Sequence, residues 1–155
     1  GLLPKGMTPI PLDVVLEQVS EPVLLCGHSH IPWVQRLDGQ LIVNAGSVGA
    51  PNNKYPRAQY ALLSWRAGRW KATHRFVPYD LAQIRAVYEE SGYLAGGGAF
   101  ARACLLGIEC GQNVPGALIS HVYTVAAAYG VARRDSVPDA IWKRATSTFR
   151  WHDNK

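Results

Sequence analysis

Two histidines one residue apart, His28 and His30, are the side chains of this sequence best suited to bind metal ions. They follow a short apolar run, VLLC at residues 23–26, and precede Pro32, a pattern that predicts a buried strand ending in a ligand-bearing loop. Alternate side chains of an extended chain lie about 6.5 Å apart, so the two imidazoles suit a pair of ions better than one ion. Two metal ions roughly 3.5–4 Å apart can each take one histidine. Neutral imidazole binds Mn, Zn, Fe or Ni. The loop therefore predicts one edge of a dinuclear metal site.

The segments after this loop are, in order, a predicted hairpin, a glycine-rich run and a second predicted hairpin. They occupy residues 33–44, 44–51 and 60–78. The first hairpin turns at Asp38 and Gly39, which is a strong two-residue hairpin signal. Without these segments, the histidine pair would equally fit a loop of solvated side chains or an ordinary α/β domain with a coincidental motif. Their order is what favours a built site.

The order of motifs resembles the C-terminal part of the calcineurin-like metallophosphoesterases, in particular the small bacterial and archaeal phosphodiesterase branch. Those proteins carry GHTHxP, a hairpin, NPGSVGxP, a YALL strand and a closing YD pair, and the resemblance covers residues 10–107. It implies an α/β (α+β) fold class: the C-terminal half of a metallophosphoesterase β-sandwich flanked by helices, with an additional C-terminal helical segment. We expect the sandwich half over residues 1–79 and the helical segment, packed on the sheet or on a partner, over residues 80–155.

The resemblance also implies a reaction, in which two divalent metal ions activate a water that attacks phosphorus. Mn²⁺ is the preferred metal, with Zn, Fe or Ni as alternatives. The residue matching His28 binds the second metal ion and the residue matching His30 binds the first. The upstream DxH, GD and GNH motifs of the family are missing from this sequence. We therefore expect the C-terminal portion of a phosphomono- or phosphodiesterase, inactive alone. The alternative is a non-catalytic scaffold or interaction module, as the retromer scaffold subunit is in this family.

Three further residues are candidates for contact with a substrate phosphate: Asn44, Ser47 and Arg57. Asn44 and Ser47 lie in the glycine-rich run, where a purely structural role in the turn is the favoured alternative. Arg57 is a cation near the predicted site, although a solvated loop arginine is the simpler interpretation. Of the other histidines, we expect His74 at the surface and His121 in a packed core.

Composition limits the classes of partner and compartment. Lys and Arg number 16 against 11 Asp and Glu, and this surplus is spread evenly, so a nucleic-acid-binding arm is not indicated. Three cysteines form neither a disulfide framework nor a zinc motif, which favours a reducing, cytoplasmic location. No apolar run is long enough to span a membrane.

We expect a phosphate-ester small molecule or nucleotide as substrate, and a missing N-terminal half or a second copy as protein partner. The first residue, Gly1, is typical of a fragment or a processed product.

Hydrophobic periodicity predicts five helices. They begin at Thr8, Asp80, Ala99, Pro115 and Ser136. We expect the three glycines at residues 96–98 to form a flexible break and the tail from residue 151 onward to fray.

Overall fold

The computed structural model describes residues 14, 16–132 and 136–151 of the chain. The chain divides into two compact units, Gly1–Tyr79 and Asp80–Lys155. The described residues form two small sheets in the first unit and four helices in the second, so the fold is mixed α/β as expected. Within the described part of the chain, no helix is both long and apolar enough to cross a membrane.

A three-stranded sheet carries the histidine loop. Its strands are β1 (Val23–Cys26), β2 (Trp33–Leu37) and β3 (Gln40–Asn44), in the order β1-β3-β2. β3 pairs in parallel with β1 and antiparallel with β2, and three consecutive residues of β3, Leu41 to Val43, are at most 1% exposed. The turn between β2 and β3 is the predicted one, since Asp38 and Gly39 both have positive φ, 51° and 86°.

The prediction that residues 23–26 form a buried strand is wrong in part. The strand is present, but it lies at an edge of the described sheet and pairs only with β3. Leu25 is 64% exposed. The helix predicted to begin at Thr8 lies mostly outside the described residues; within them, Val14 and Leu16 have helical backbone, and Leu16 is buried against Trp33 and Ile42.

The second sheet is a long two-stranded hairpin. β4 (Arg57–Arg66) pairs antiparallel with β5 (Arg69–Pro78) along their full length. The turn residues Ala67 and Gly68 have φ of 49° and 73°. Much of the hairpin's apolar surface is exposed: Tyr60, Leu62, Leu63, Trp65, Phe76 and Val77 are 37–58% accessible. These six residues, which alternate between the two faces of the hairpin, are called the apolar hairpin surface.

The second unit contains helices α1 (Leu81–Glu90), α2 (Tyr93–Cys110), α3 (Val114–Ala128) and α4 (Asp139–Thr148). Its core consists of small and branched side chains from α2, α3 and α4: Ala103, Val114, Leu118, Val122 and Ala145. The short helix predicted from Ala99 corresponds to the part of α2 that follows a kink at Gly98, but α2 as a whole begins earlier, at Tyr93, and ends at Cys110. The glycine break is real but confined to Gly98, where φ is 54° and ψ is −135°.

The end of the described chain is packed rather than frayed. The rings of Trp151 and Phe149 meet edge to face, with centroids 4.9 Å apart, and the guanidinium carbon of Arg102 lies 4.4 Å from the centroid of the Trp151 ring. The prediction of a frayed tail is therefore wrong for Trp151. His152 and the residues after it lie outside the described residues.

Candidate metal site

Residues 27–30, which we call the ligand loop, leave β1 in a tight and unusual backbone conformation. Both histidines have positive φ, 70° at His28 and 58° at His30. The amide of Ser29 donates to the carbonyl of Gly27 at 2.9 Å, and the Ser29 hydroxyl accepts from the amide of Ile31 at 3.4 Å. These local bonds turn the chain twice within four residues. The backbone is therefore no longer extended where the two imidazoles project, and strand spacing does not apply to them.

The ring of His30 is oriented by the backbone. Its Nδ1 lies 2.7 Å from the carbonyl oxygen of Ala50. A carbonyl oxygen only accepts, so Nδ1 carries the hydrogen, and in the neutral ring Nε2 keeps a free lone pair. A histidine whose second nitrogen donates to a carbonyl is the usual arrangement around a bound metal ion. The amide of Asn52 also donates to the carbonyl of His30 at 3.1 Å. His30 is half-buried and His28 is exposed.

Asn44 joins the ligand loop to the end of β3. Its Nδ2 donates to the Ser29 hydroxyl at 3.0 Å and to the Gly27 carbonyl at 3.4 Å, and its Oδ1 accepts from the Gly46 amide at 3.0 Å. The residue is fully buried. Of the two roles left open by the sequence, this geometry favours the structural one.

The segment after β3, residues 45–53, folds against the second sheet through Gln59. This side chain is 1% exposed and donates from Nε2 to Asn53 Oδ1 at 2.8 Å. The backbone amide of Gln59 donates to the carbonyl of Ser47 at 3.0 Å, and the Ser47 hydroxyl accepts from the Ala50 amide at 3.0 Å. Ser47 thus shapes the turn that presents the Ala50 carbonyl to His30. Gln59 was not among the predicted site residues, because its only signal in the sequence is that it is a polar residue beside apolar ones in a strand.

Two further side chains of the first unit bond the backbone of this region. The Tyr79 hydroxyl donates to the carbonyl of Val48 at 2.7 Å, and burial raises the pKa of this phenol above its ordinary value. Nε2 of His74 lies 2.8 Å from the carbonyl oxygen of Asn44. The prediction that His74 is a surface residue is correct only in part, because the residue is half-buried and bonds the backbone of β3.

Arg57, the third candidate for substrate contact, begins β4 and is exposed. Its guanidinium carbon lies 5.7 Å from the centroid of the Tyr55 ring, which restrains the cation without neutralising it. Contact with a substrate phosphate stays a prediction for Arg57 and Ser47.

Comparison with known proteins identifies the relationship of this unit. Residues 8–68 match the family model described as the calcineurin-like phosphoesterase superfamily domain. A metallophosphoesterase from Sphaerobacter thermophilus of known structure is 26% identical, with a TM-score of 0.50 over 62% of this chain and 44% of that one. The chain is related to the calcineurin-like metallophosphoesterases. The matched region spans less than half the length of the Sphaerobacter thermophilus protein.

Two other solved structures are similar to shorter parts of the chain. One is a conserved protein from Streptococcus pneumoniae described as a predicted phosphoesterase, 21% identical, with a TM-score of 0.32 over 41% of this chain and 46% of that one. The other is a Vps29 double mutant from Entamoeba histolytica, 21% identical, with a TM-score of 0.31 over 42% of this chain and 44% of that one. No curated protein matches the chain.

Metallophosphoesterases generally depend on metal ions, and the donor set of this chain fits such a site in part. Among the described residues, no group of three or more His, Cys, Asp or Glu side chains lies close enough to hold a metal ion. Cys26, two residues before His28, is not a ready thiolate ligand, because burial raises the pKa of its thiol. His121 is bonded elsewhere, with Nε2 3.0 Å from the Thr148 hydroxyl. Within the described residues, the ligand loop contributes two imidazole side chains, and a dinuclear site needs further ligands.

Proposed function

We propose that this chain is part of a metal-dependent phosphoesterase that hydrolyses phosphomono- or phosphodiesters, and that it contributes His28 and His30 as metal ligands. The observation that carries this proposal is the 2.7 Å contact between Nδ1 of His30 and the Ala50 carbonyl. That contact fixes the tautomer with Nε2 free, which is the form that a metal ion requires. The relationship to metallophosphoesterases supports the class of reaction.

Each part of the site has a distinct task in this proposal. Two divalent ions, Mn²⁺ by preference, would bind the phosphate and lower the pKa of a bound water. His28 and His30 each hold one ion, while Asn44 and the Ala50 carbonyl fix where the two rings stand. Arg57 offers a positive charge to a phosphate group, and the Ser47 turn lines the approach. The substrate would be a phosphate-ester small molecule or a nucleotide in the cytoplasm.

The remaining ligands would come from a second polypeptide segment, either an upstream half of the same protein or a second copy. The apolar hairpin surface supports this, because exposed leucine, tryptophan and phenylalanine side chains are stabilised by burial against a partner. β1 offers a further place for a strand to add, since among the described strands it pairs only with β3.

The test is hydrolysis of bis(4-nitrophenyl) phosphate in the presence of Mn²⁺. We expect no turnover by the chain alone, and turnover when a polypeptide carrying the upstream half of a metallophosphoesterase is added. His28→Ala and His30→Ala should each lower this turnover at least about a hundredfold, whereas His121→Ala, in the second unit, serves as the control and should leave it unchanged. Turnover that survives His28→Ala and His30→Ala would contradict the proposal.

A non-catalytic interaction module is the second candidate, and the same apolar hairpin surface favours it. The two are separated by the same experiment. A complex that forms on mixing, remains inactive with Mn²⁺ and is lost on Leu62→Lys would support an interaction module instead of an enzyme.

A further inference from the structure

The imidazole of His74 connects the second sheet to the end of β3. His74 lies on β5, opposite Ala61 of β4, and its Nε2 is 2.8 Å from the carbonyl oxygen of Asn44. Since this oxygen only accepts, Nε2 carries the hydrogen and donates it. β3 and β5 belong to different sheets. The bond therefore restrains the last residue of β3 from outside its own sheet.

The side chain of the same asparagine holds the ligand loop on both sides of His28. Its Nδ2 donates to the Gly27 carbonyl and to the Ser29 hydroxyl, and its Oδ1 accepts from the Gly46 amide. Because Asn44 is fully buried, water cannot replace these bonds when they break. Asn44 thus helps to place the backbone around His28, and the bond from His74 restrains Asn44 in addition to its pairing with β1 and β2.

We propose that His74 is a positioning residue of the metal site, which acts through Asn44 to hold residues 27–29 and so fix the imidazole of His28. His30 is held separately, by Ala50 and Asn52, so the effect of His74 falls mainly on His28. The assignment of His28 to a metal ion rests on the proposed function. The hydrogen-bond relay from His74 to the ligand loop does not, and it is measurable without metal.

The test compares His74→Leu with His74→Gln. Leucine fills the half-buried position with a side chain that has no hydrogen-bond donor. The glutamine Nε2 is as many bonds from Cα as the histidine Nε2 and can donate to the same carbonyl. Amide hydrogen exchange, followed by NMR, reports on the Ser29 amide, which donates to Gly27, and on the Gly46 amide, which donates to Asn44.

We expect exchange at the Ser29 and Gly46 amides to accelerate about tenfold in His74→Leu, the equivalent of one lost hydrogen bond. His74→Gln should restore the slower exchange, and the amides of Ser64 and Lys71, which are paired three positions farther along the hairpin, should not change in either variant. Should His74→Leu not fold, His74→Asn, whose amide is one bond too short, should give the same pattern. The relay is overturned if His74→Leu leaves exchange at Ser29 and Gly46 unchanged, or accelerates it equally along the hairpin. It is also overturned if His74→Gln does not restore the slower exchange.

Mn²⁺ titration then tests the connection to the metal. Paramagnetic broadening of the His28 ring signals should weaken several-fold in His74→Leu, with a smaller effect on His30. Equal loss at both rings would overturn the selective positioning of His28. If Mn²⁺ broadens neither ring in the unmodified protein, the proposed function fails, while the exchange measurement still decides the relay.

Discussion

Gly46 is the residue at which the segment after β3 turns toward the second sheet. Its φ is 85°, and a Cβ atom there would lie 2.2 Å from Oε1 of the buried Gln59. Backbone conformation and space therefore both exclude a side chain. The same turn leads to Ser47 and Ala50, so its shape determines where the carbonyl that orients His30 is placed.

We expect Gly46→Ala to lower the free energy of unfolding of the first unit by about 1–3 kcal/mol, from left-handed strain and overpacking together. Urea unfolding followed by circular dichroism measures this. Gly49→Ala is the matched control, because it lies in the same segment with nothing within 4 Å of its ideal Cβ. Equal effects of the two substitutions would show that Gln59 does not restrict position 46.

At the residue scale, the sequence shows the candidate ligands but not the residues that hold them, and the binding of metal by His28 and His30 stays a prediction. His28 and His30 stand in a local motif, and local spacing is visible in a sequence. The bonds from Asn44 to Ser29 and from His74 to Asn44 cross 15 and 30 residues of chain. Such partners depend on how the two sheets pack against each other, and neither hydrophobic periodicity nor composition predicts that packing.

At the scale of elements, the N-caps of α1 and α3 are alike locally and differ in what their helices bury. Asp80 accepts from the Gln83 amide, and Asn113 accepts from the Gly116 amide. α1 has no buried residue, whereas α3 contributes Val114, Leu118, Val122 and Ala126. The consequences of losing the two caps should therefore differ.

We expect Asn113→Ala to lower the free energy of unfolding of the helical unit by about 1 kcal/mol, because the core cannot form without α3. Asp80→Ala should instead increase amide exchange within α1 and leave the cooperative unfolding midpoint nearly unchanged. Denaturant unfolding and hydrogen exchange on both variants measure this. An equal fall in midpoint would mean that α1 is as central to the unit as α3.

Elements were predicted well where turn chemistry is local. The Asp38–Gly39 turn and the Asp80 cap lie where expected. The predicted start at Ala99 matches the part of α2 after the Gly98 kink, whereas the part before it was missed because consecutive glycines have low helix propensity. Packing of Tyr88 against Tyr93, with ring centroids 5.3 Å apart, helps to hold the first turn of α2. β1 was predicted to be buried because its residues are apolar. Apolar residues favour burial, but their pattern does not show whether another element covers them.

For the whole molecule, burial sets how stability should respond to alkaline pH. Burial raises the pKa of Tyr79 and Tyr88 above 10.0 and that of Cys26, Cys104 and Cys110 above 9.0. The unfolded chain therefore loses these protons at lower pH than the folded chain does. By linkage, stability is fully present below pH 9 and falls as the pH rises through 9 and 10.

We expect the urea midpoint, measured with a reducing agent present, to be lower at pH 10.5 than at pH 8. Tyr79→Phe should reduce this difference, although it also removes the bond to the Val48 carbonyl and so lowers the midpoint at pH 8. Tyr60→Phe, at an exposed tyrosine, is the control. A midpoint that is flat or rises between these two pH values would contradict the expectation.

The mixed α/β class and the relationship to metallophosphoesterases were both predictable from the sequence, because they rest on ordered motifs. Whether the helices of residues 80–155 pack on the sheet or on a partner stays a prediction. The apolar hairpin surface follows from alternating strand patterns, which indicate that two faces favour burial but not what covers them.

The two left-handed histidines set a limit on engineering this loop for greater stability. Glycine at position 28 or 30 would relieve the backbone by roughly 1 kcal/mol at each site. Each such substitution would also remove one of the two imidazoles. A gain in thermal endurance at these positions would therefore come at the expense of the candidate ligands.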